Sequence, residues 1–307
     1  MKRLNIILLV FLLPILMGFD LSRHSIPLEE ILSGGPPKDG IPAILRPKFV
    51  DAEKTSFLKD EDRVLGLIVN GEAKAYPIKI LNWHEIVNDI VGGKPVLITY
   101  CPLCGTGMAF DPAIDGKRYT FGVSGLLYKS DVLMYDHQTE SLWSQIMQEA
   151  VAGKLTGARL TLVSMIHTTW EAWKKEHPKT LVLSTDTGFK RDYKQDPYES
   201  YAKSSQLMFS AGDTDGRFHP KAFVLGIVLG GMAKAYPFSE LEQGPHSFDD
   251  TIGSRMIKVN YDPGSKTARI KDKNGNDIPS VVSYWFAWAA FYPKTEVYRY
   301  SRNKTQD

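Results

Sequence analysis

The sequence predicts an α+β fold, mostly antiparallel β-sheet with a few short helices, in two related halves of the kind an internal duplication produces. Val64 to Leu81 (VLGLIVNGEAKAYPIKIL) aligns without gaps on Val224 to Leu241 (VLGIVLGGMAKAYPFSEL), sharing a whole Ala-Lys-Ala-Tyr-Pro. Each copy reads as two strand-like runs joined by a two-residue turn, Asn70-Gly71 or Gly230-Gly231, whose residues tolerate positive φ. Further on, Tyr100-Cys101-Pro102 falls on Tyr261-Asp262-Pro263, and Trp170, Trp173, Pro178, Lys179 and Thr180 fall on Trp285, Trp288, Pro293, Lys294 and Thr295.

The elements follow in order. Val64–Val69 and Ala73–Tyr76 form the first hairpin, which Pro77 ends. Ile80, His84, Val87 and Val91 recur at helical spacing, with Asn82 and Glu85 as a capping box, so a short helix is expected there. Val96–Tyr100 reads as a buried strand, and Ala109–Phe110 and Arg118–Val123 as further strands. Thr168 with Glu171 marks a helix start, Trp170 and Trp173 share that helix's apolar face, and Leu181–Ser184 closes the unit. The tryptophans read as core. Most of Pro102 to His167 has no counterpart in the second half, so the repeated parts read as scaffold and specialised chemistry is expected in the insertion.

The chain's 307 residues allow about two domains' worth of core. Its 37 basic and 35 acidic side chains nearly cancel, which gives no electrostatic reason to expect nucleic acid. Lys2 and Arg3 precede an apolar run from Leu4 to Met17, so residues 1–19 read as a signal peptide or an uncleaved anchor. The expectation is an exported protein, periplasmic or extracellular, touching a membrane only through that anchor. Residues 20–61, rich in turn formers around Gly34-Gly35-Pro36-Pro37, read as an extended arm. Residues 62–200 are then the first half with its insertion, and 201–307 the shorter second half.

The two cysteines, Cys101 and Cys104, sit in a single Cys-Pro-Leu-Cys turn, which excludes a disulfide scaffold. Such a pair can close a reducible disulfide, supply two ligands to a soft metal, or staple the turn permanently. A closed zinc site needs two more ligands and no second pair exists. Copper or an open site would accept His84 and Met108. His137 is a weaker candidate. Phe121 to Tyr128 lacks the Gly-x-Ser-x-Gly register of a hydrolase elbow and reads as a loop lining a pocket with Ser124, Gly125 and Tyr128. Asp186, Arg191, Asp192, Tyr193, Asp196 and Tyr198 crowd one loop, read as a salt-bridge loop.

At Asn82 to Asp89, Tyr100 to Thr106, Phe121 to Leu127 and Thr139 to Gln145, the sequence resembles the bacterial and archaeal family called domain of unknown function 3179, a likeness running from about Gly40 to the C-terminus. Some members of that family are described as selenoproteins with selenocysteine in the Cys-Pro-Leu-Cys position. Carried onto Cys101 and Cys104, the resemblance implies reactive thiols. Similar sequences usually have Arg where this chain has His137, which counts against that residue as an essential ligand.

Three functions are therefore expected in order. The first is an exported thiol redox protein in which Cys101 and Cys104 cycle, His84 tunes a thiolate, and the partner is an unknown redox protein or small molecule, with no cofactor required. The second is a copper or zinc protein using Cys101, Cys104 and His84, with Met108 available. The third is a non-enzymatic binding module with a structural disulfide.

Overall fold

The computed structural model describes residues 18–213 and 215–301. The basic start and apolar run of the expected signal lie outside the described residues. Among those described, no helix is long and apolar enough to cross a membrane.

The described residues are mostly antiparallel and mixed β-sheet, and the longest α-helices among them, Trp170–Glu176 and Trp285–Phe291, have seven residues each. The two sequence repeats adopt the same local structure. Strands Arg63–Val69 and Glu72–Pro77 lead into helix Ile78–Leu81, and strands Phe223–Leu229 and Met232–Pro237 lead into helix Phe238–Leu241. The repeated glycine has a packing reason. A Cβ on Gly66 would lie 2.3 Å from the Trp173 ring, and one on Gly226 would lie 2.3 Å from the Trp288 ring. Each indole N–H donates to a threonine hydroxyl, Trp173 to Thr180 at 3.0 Å and Trp288 to Thr295 at 2.9 Å. The shared Lys and Tyr of the repeat serve one carboxylate in each copy. Lys74 and Tyr76 bond Asp89, and Lys234 and Tyr236 bond Asp250.

The expected helix over Ile80 to Val91 is only its first turn. Ile86–Val91 is a strand, antiparallel to Lys94–Cys101 across Gly92 and Gly93, both at positive φ. The reason is local: Ile86, Val87, Ile90 and Val91 are β-branched, and the glycine pair supplies the hairpin turn. Glu85 is no cap but a left-handed residue (φ 56°) at the corner between helix and strand. The first tryptophan helix, Trp170–Glu176, begins one residue later than the Thr168 signal, with Thr169 as N-cap accepting from the Ala172 N–H.

Phe121–Tyr128 is likewise a strand rather than a loop, and it is buried along its whole length. With Asp131–Asp136, Leu142–Ser144 and Glu149–Ala152 it makes a sheet belonging to the insertion, completed by Ile31–Ser33 from the arm. The arm is thus woven into the body: Ile31–Ser33 pairs with Phe121–Tyr128, and Phe49–Asp51 pairs with Leu181–Leu183. A separate eight-stranded sheet joins the second repeat's hairpin to the cysteine-bearing strands, since Val281–Tyr284 pairs with Phe223–Leu229 on one side and with Thr106–Asp111 on the other, while the first repeat's hairpin lies in another, five-stranded sheet.

Candidate functional site

Cys101 is the last residue of strand Lys94–Cys101, and Cys104 lies in the turn leading to Thr106–Asp111. The Cys104 N–H donates to the Cys101 carbonyl at 3.2 Å, closing the turn, and Gly105 leaves it at φ 59°. A side chain on Gly105 would press on Tyr284 and Phe223, at 3.0 and 3.1 Å. The turn's carbonyls are held from three directions. Cys104 O accepts the Tyr284 N–H at 2.8 Å and the Thr106 hydroxyl at 3.1 Å, and Leu103 O accepts the Tyr201 hydroxyl at 3.0 Å. These contacts fix the direction in which both thiols point.

They point into the insertion sheet. The Phe121–Tyr128 and Asp131–Asp136 strands are joined by Lys129 and Ser130, both at positive φ, and this tight turn brings Ser130 O and the Asp131 carboxyl to the sulfurs. Cys104 Sγ donates to Ser130 O at 3.3 Å. Cys101 Sγ, Cys104 Sγ and an Asp131 carboxylate oxygen all lie within 4.8 Å of one another, and all three residues are buried. Both cysteines are free thiols.

The electrostatics are unusual for a buried site. Asp131 Oδ2 accepts the Ile146 N–H at 3.1 Å, while its Oδ1 is buried without a hydrogen-bond partner. Burial pushes the Asp131 carboxyl up to about 7 against the pull of these donors. Glu85 stands nearby, pushed up to about 8 by burial and by the Asp131 charge. Burial also raises both thiols, Cys104 more than Cys101, because a hydrogen bond from Cys104 favours the Cys101 thiolate. A cavity of about 120 Å³ is walled by Glu85, Leu103, Val132, Tyr198, Met208 and Gly125, sequence neighbours of the cluster, while the two cysteines and Asp131 lie behind its wall.

The remaining expected residues are distributed differently. His84 is on the same short corner as Glu85 but faces away. Its Nδ1 bonds Pro42 O at 2.8 Å and its Nε2 bonds the Tyr193 hydroxyl at 2.6 Å, so both ring nitrogens are occupied and His84 is not in the cysteine group. The imidazole thus lies between Pro42 and Tyr193 of the 185–196 loop. That loop is a packing loop, with Asn82 bonded to Asp196 and Trp83 to Gln195 O. His137 is exposed and bonds Thr120. Met108 packs in the same core cluster as both cysteines.

Of the expected pocket residues, Gly125 lines the cavity, at φ 78° in a bulge where a Cβ would lie 2.2 Å from Pro36 O. Ser124 instead bridges that bulge, donating to Leu133 O and accepting from the Leu126 N–H. Tyr128 packs edge-on against Phe291. Asp131 and Glu85 escaped sequence reasoning as site residues. The available signal was a carboxylate opening an apolar strand, Asp131-Val132-Leu133-Met134, directly after a two-residue turn.

The arrangement can close a disulfide, pass a thiol proton to a carboxylate, or hold a cation between two sulfurs and an oxygen. Searches of curated proteins and of solved structures find no significant match to the chain. A family profile does match, over residues 38–295, which is most of the sequence and includes every residue of the site. The chain therefore belongs to the family described as protein of unknown function (DUF3179).

Proposed function

We propose that this is a thiol redox protein, acting outside the cytoplasm, whose working pair is Cys101 and Cys104 and whose proton acceptor is Asp131. The observation that carries the reading is the buried Asp131 carboxyl beside two free thiols, with its pKa raised to about 7. A base poised near working pH is the efficient one for taking a proton from a weakly acidic thiol. Cys101 is the attacking sulfur because Cys104 stabilises its thiolate.

Burial restricts the oxidant. With Cys101 at 1% exposure and Cys104 at 0%, a small hydroperoxide is a better-matched oxidant than a protein disulfide. Asp131 takes the Cys101 proton, the sulfur attacks the terminal peroxide oxygen, the O–O bond breaks, and Asp131 returns the proton to the leaving oxygen, giving a sulfenic acid and an alcohol (or water). Cys104 then attacks the Cys101 sulfur, its S–H proton leaving with the sulfenic hydroxyl as water. Two thiols and one hydroperoxide give one disulfide, one alcohol and one water. A small thiol reductant restores the pair by two exchange steps.

The test is mass spectrometry with alkylation. Reduced protein treated with one equivalent of hydrogen peroxide is expected to lose about 2 Da and to resist iodoacetamide at both cysteines, with Asp131→Asn reacting at least tenfold more slowly. Unchanged mass with both thiols still alkylated refutes the reading.

A further inference from the structure

We propose that the reduced site binds a divalent cation of the zinc class, held by Cys101 Sγ, Cys104 Sγ and Asp131. This rests on the pair being available as thiols, the resting form in the redox reading, but not on its oxidation.

The three donors come from two different sheets and are already within 4.8 Å of one another. In a tetrahedral zinc site, bond lengths of about 2.3 Å to sulfur and 2.0–2.2 Å to oxygen place neighbouring donors about 3.6–3.8 Å apart, so loading needs only a small contraction. The second observation is independent of the cluster. Asp131 Oδ1 is fully buried with no hydrogen-bond partner, a state that native interiors rarely leave uncompensated. Neither Asp131 nor Glu85 is in an ion pair among the described residues, so four acidic groups share this interior with no positive charge from the protein. A cation supplies the missing charge and a partner for the carboxylate.

The donor set selects the metal. Two sulfurs exclude calcium and magnesium, which take oxygen ligands, and the carboxylate disfavours copper(I), which wants sulfur alone. Three protein donors leave the fourth position of a tetrahedron open, as in catalytic rather than structural zinc sites. Gly105 and the Lys129–Ser130 turn place the donors, and His84 has no part in the site.

Cobalt(II) titration of the reduced full-length chain tests this directly. Thiolate-to-cobalt charge-transfer bands are expected to saturate at one equivalent and to vanish on adding zinc. Cys101→Ser should abolish the bands, and Asp131→Asn should weaken cobalt binding at least tenfold, with thermal melts confirming that each variant is folded. Zinc should also raise the melting temperature of the dithiol form and leave the disulfide form unchanged. Absent bands at excess cobalt, undiminished binding by Asp131→Asn, or binding of copper(I) alone would each overturn the proposal. A protein that binds zinc but remains a dithiol under hydroperoxide keeps this site and loses the redox reading. One that forms the disulfide but binds no cobalt does the reverse.

Discussion

Replacing Asp131 by Asn should make the reduced, metal-free protein more stable at neutral pH while disabling its site. The carboxyl goes from an ordinary 3.8 to about 7 on folding, chiefly because burial disfavours its charge. Between about pH 4 and pH 7 the folded chain keeps a proton that the unfolded chain has lost. Stability is therefore fully present at low pH and falls by about 1.36 kcal/mol per pH unit across that window, levelling off above it. Asn has the same shape and never ionises. The variant's advantage should grow by about 2–3 kcal/mol between pH 5 and pH 7.5. Removing the Asp131 charge also relieves Glu85, which adds in the same direction. Urea denaturation of both proteins across that range, with reductant and chelator present, gives the difference directly and cancels every group they share. A difference that does not change with pH would show that the carboxylate charge is compensated in the fold, and the account of the site would fail.

Other consequences concern the scaffold and the bystanders. Asp89→Ala should cost about 3 kcal/mol, because it leaves the buried Lys74 ammonium with only the longer Glu72 pair at 3.7 Å and Ile90 O, whereas Asp250→Ala should cost less, since Lys234 and Asp250 are partly in water; urea denaturation measures both. Gly66→Ala and Gly226→Ala should each lose about 3 kcal/mol in the same assay, since the new methyl would overlap a buried indole. His84→Phe should lower the melting temperature through the lost Pro42 and Tyr193 bonds, yet leave the rate of peroxide-driven disulfide formation within twofold of wild type. His167, buried with its Nε2 unpartnered and pushed down to about 3, should keep constant imidazole resonances from pH 8 to pH 4. Because the unfolded chain binds that proton near 6.5, His167 should also weaken the fold as pH falls below that value.

Much of the scaffold was legible because its signals are short-range. Asn70-Gly71 and Gly230-Gly231 specify hairpins by their backbone freedom alone, and Pro77 and Pro237 end the following strands at the same point in each copy. Ile80 to Val91 was misread because four apolar residues happened to fit a helical period, while the β-branched content and the Gly92-Gly93 turn argued for a strand. Ser124 to Tyr128 was misread for a related reason. A fully buried strand shows no alternation, and its glycines suggested a loop where they serve a bulge and a close approach to the arm.

By itself the sequence determined the α+β class, the repeated hairpins, the tryptophan helices and the cysteine pair in one turn, since each is written in neighbouring residues or in a repeat visible along the chain. Only the tertiary structure decided what faces that pair. The thiols and Asp131 are separated by 27 or more positions and sit on different sheets, so their meeting depends on how the insertion sheet packs on the cysteine hairpin. The same packing buries Asp131 and Glu85 without a counter-charge among the described residues, and burial, which no linear pattern encodes, is what raises their pKa values and makes the site chemically distinct.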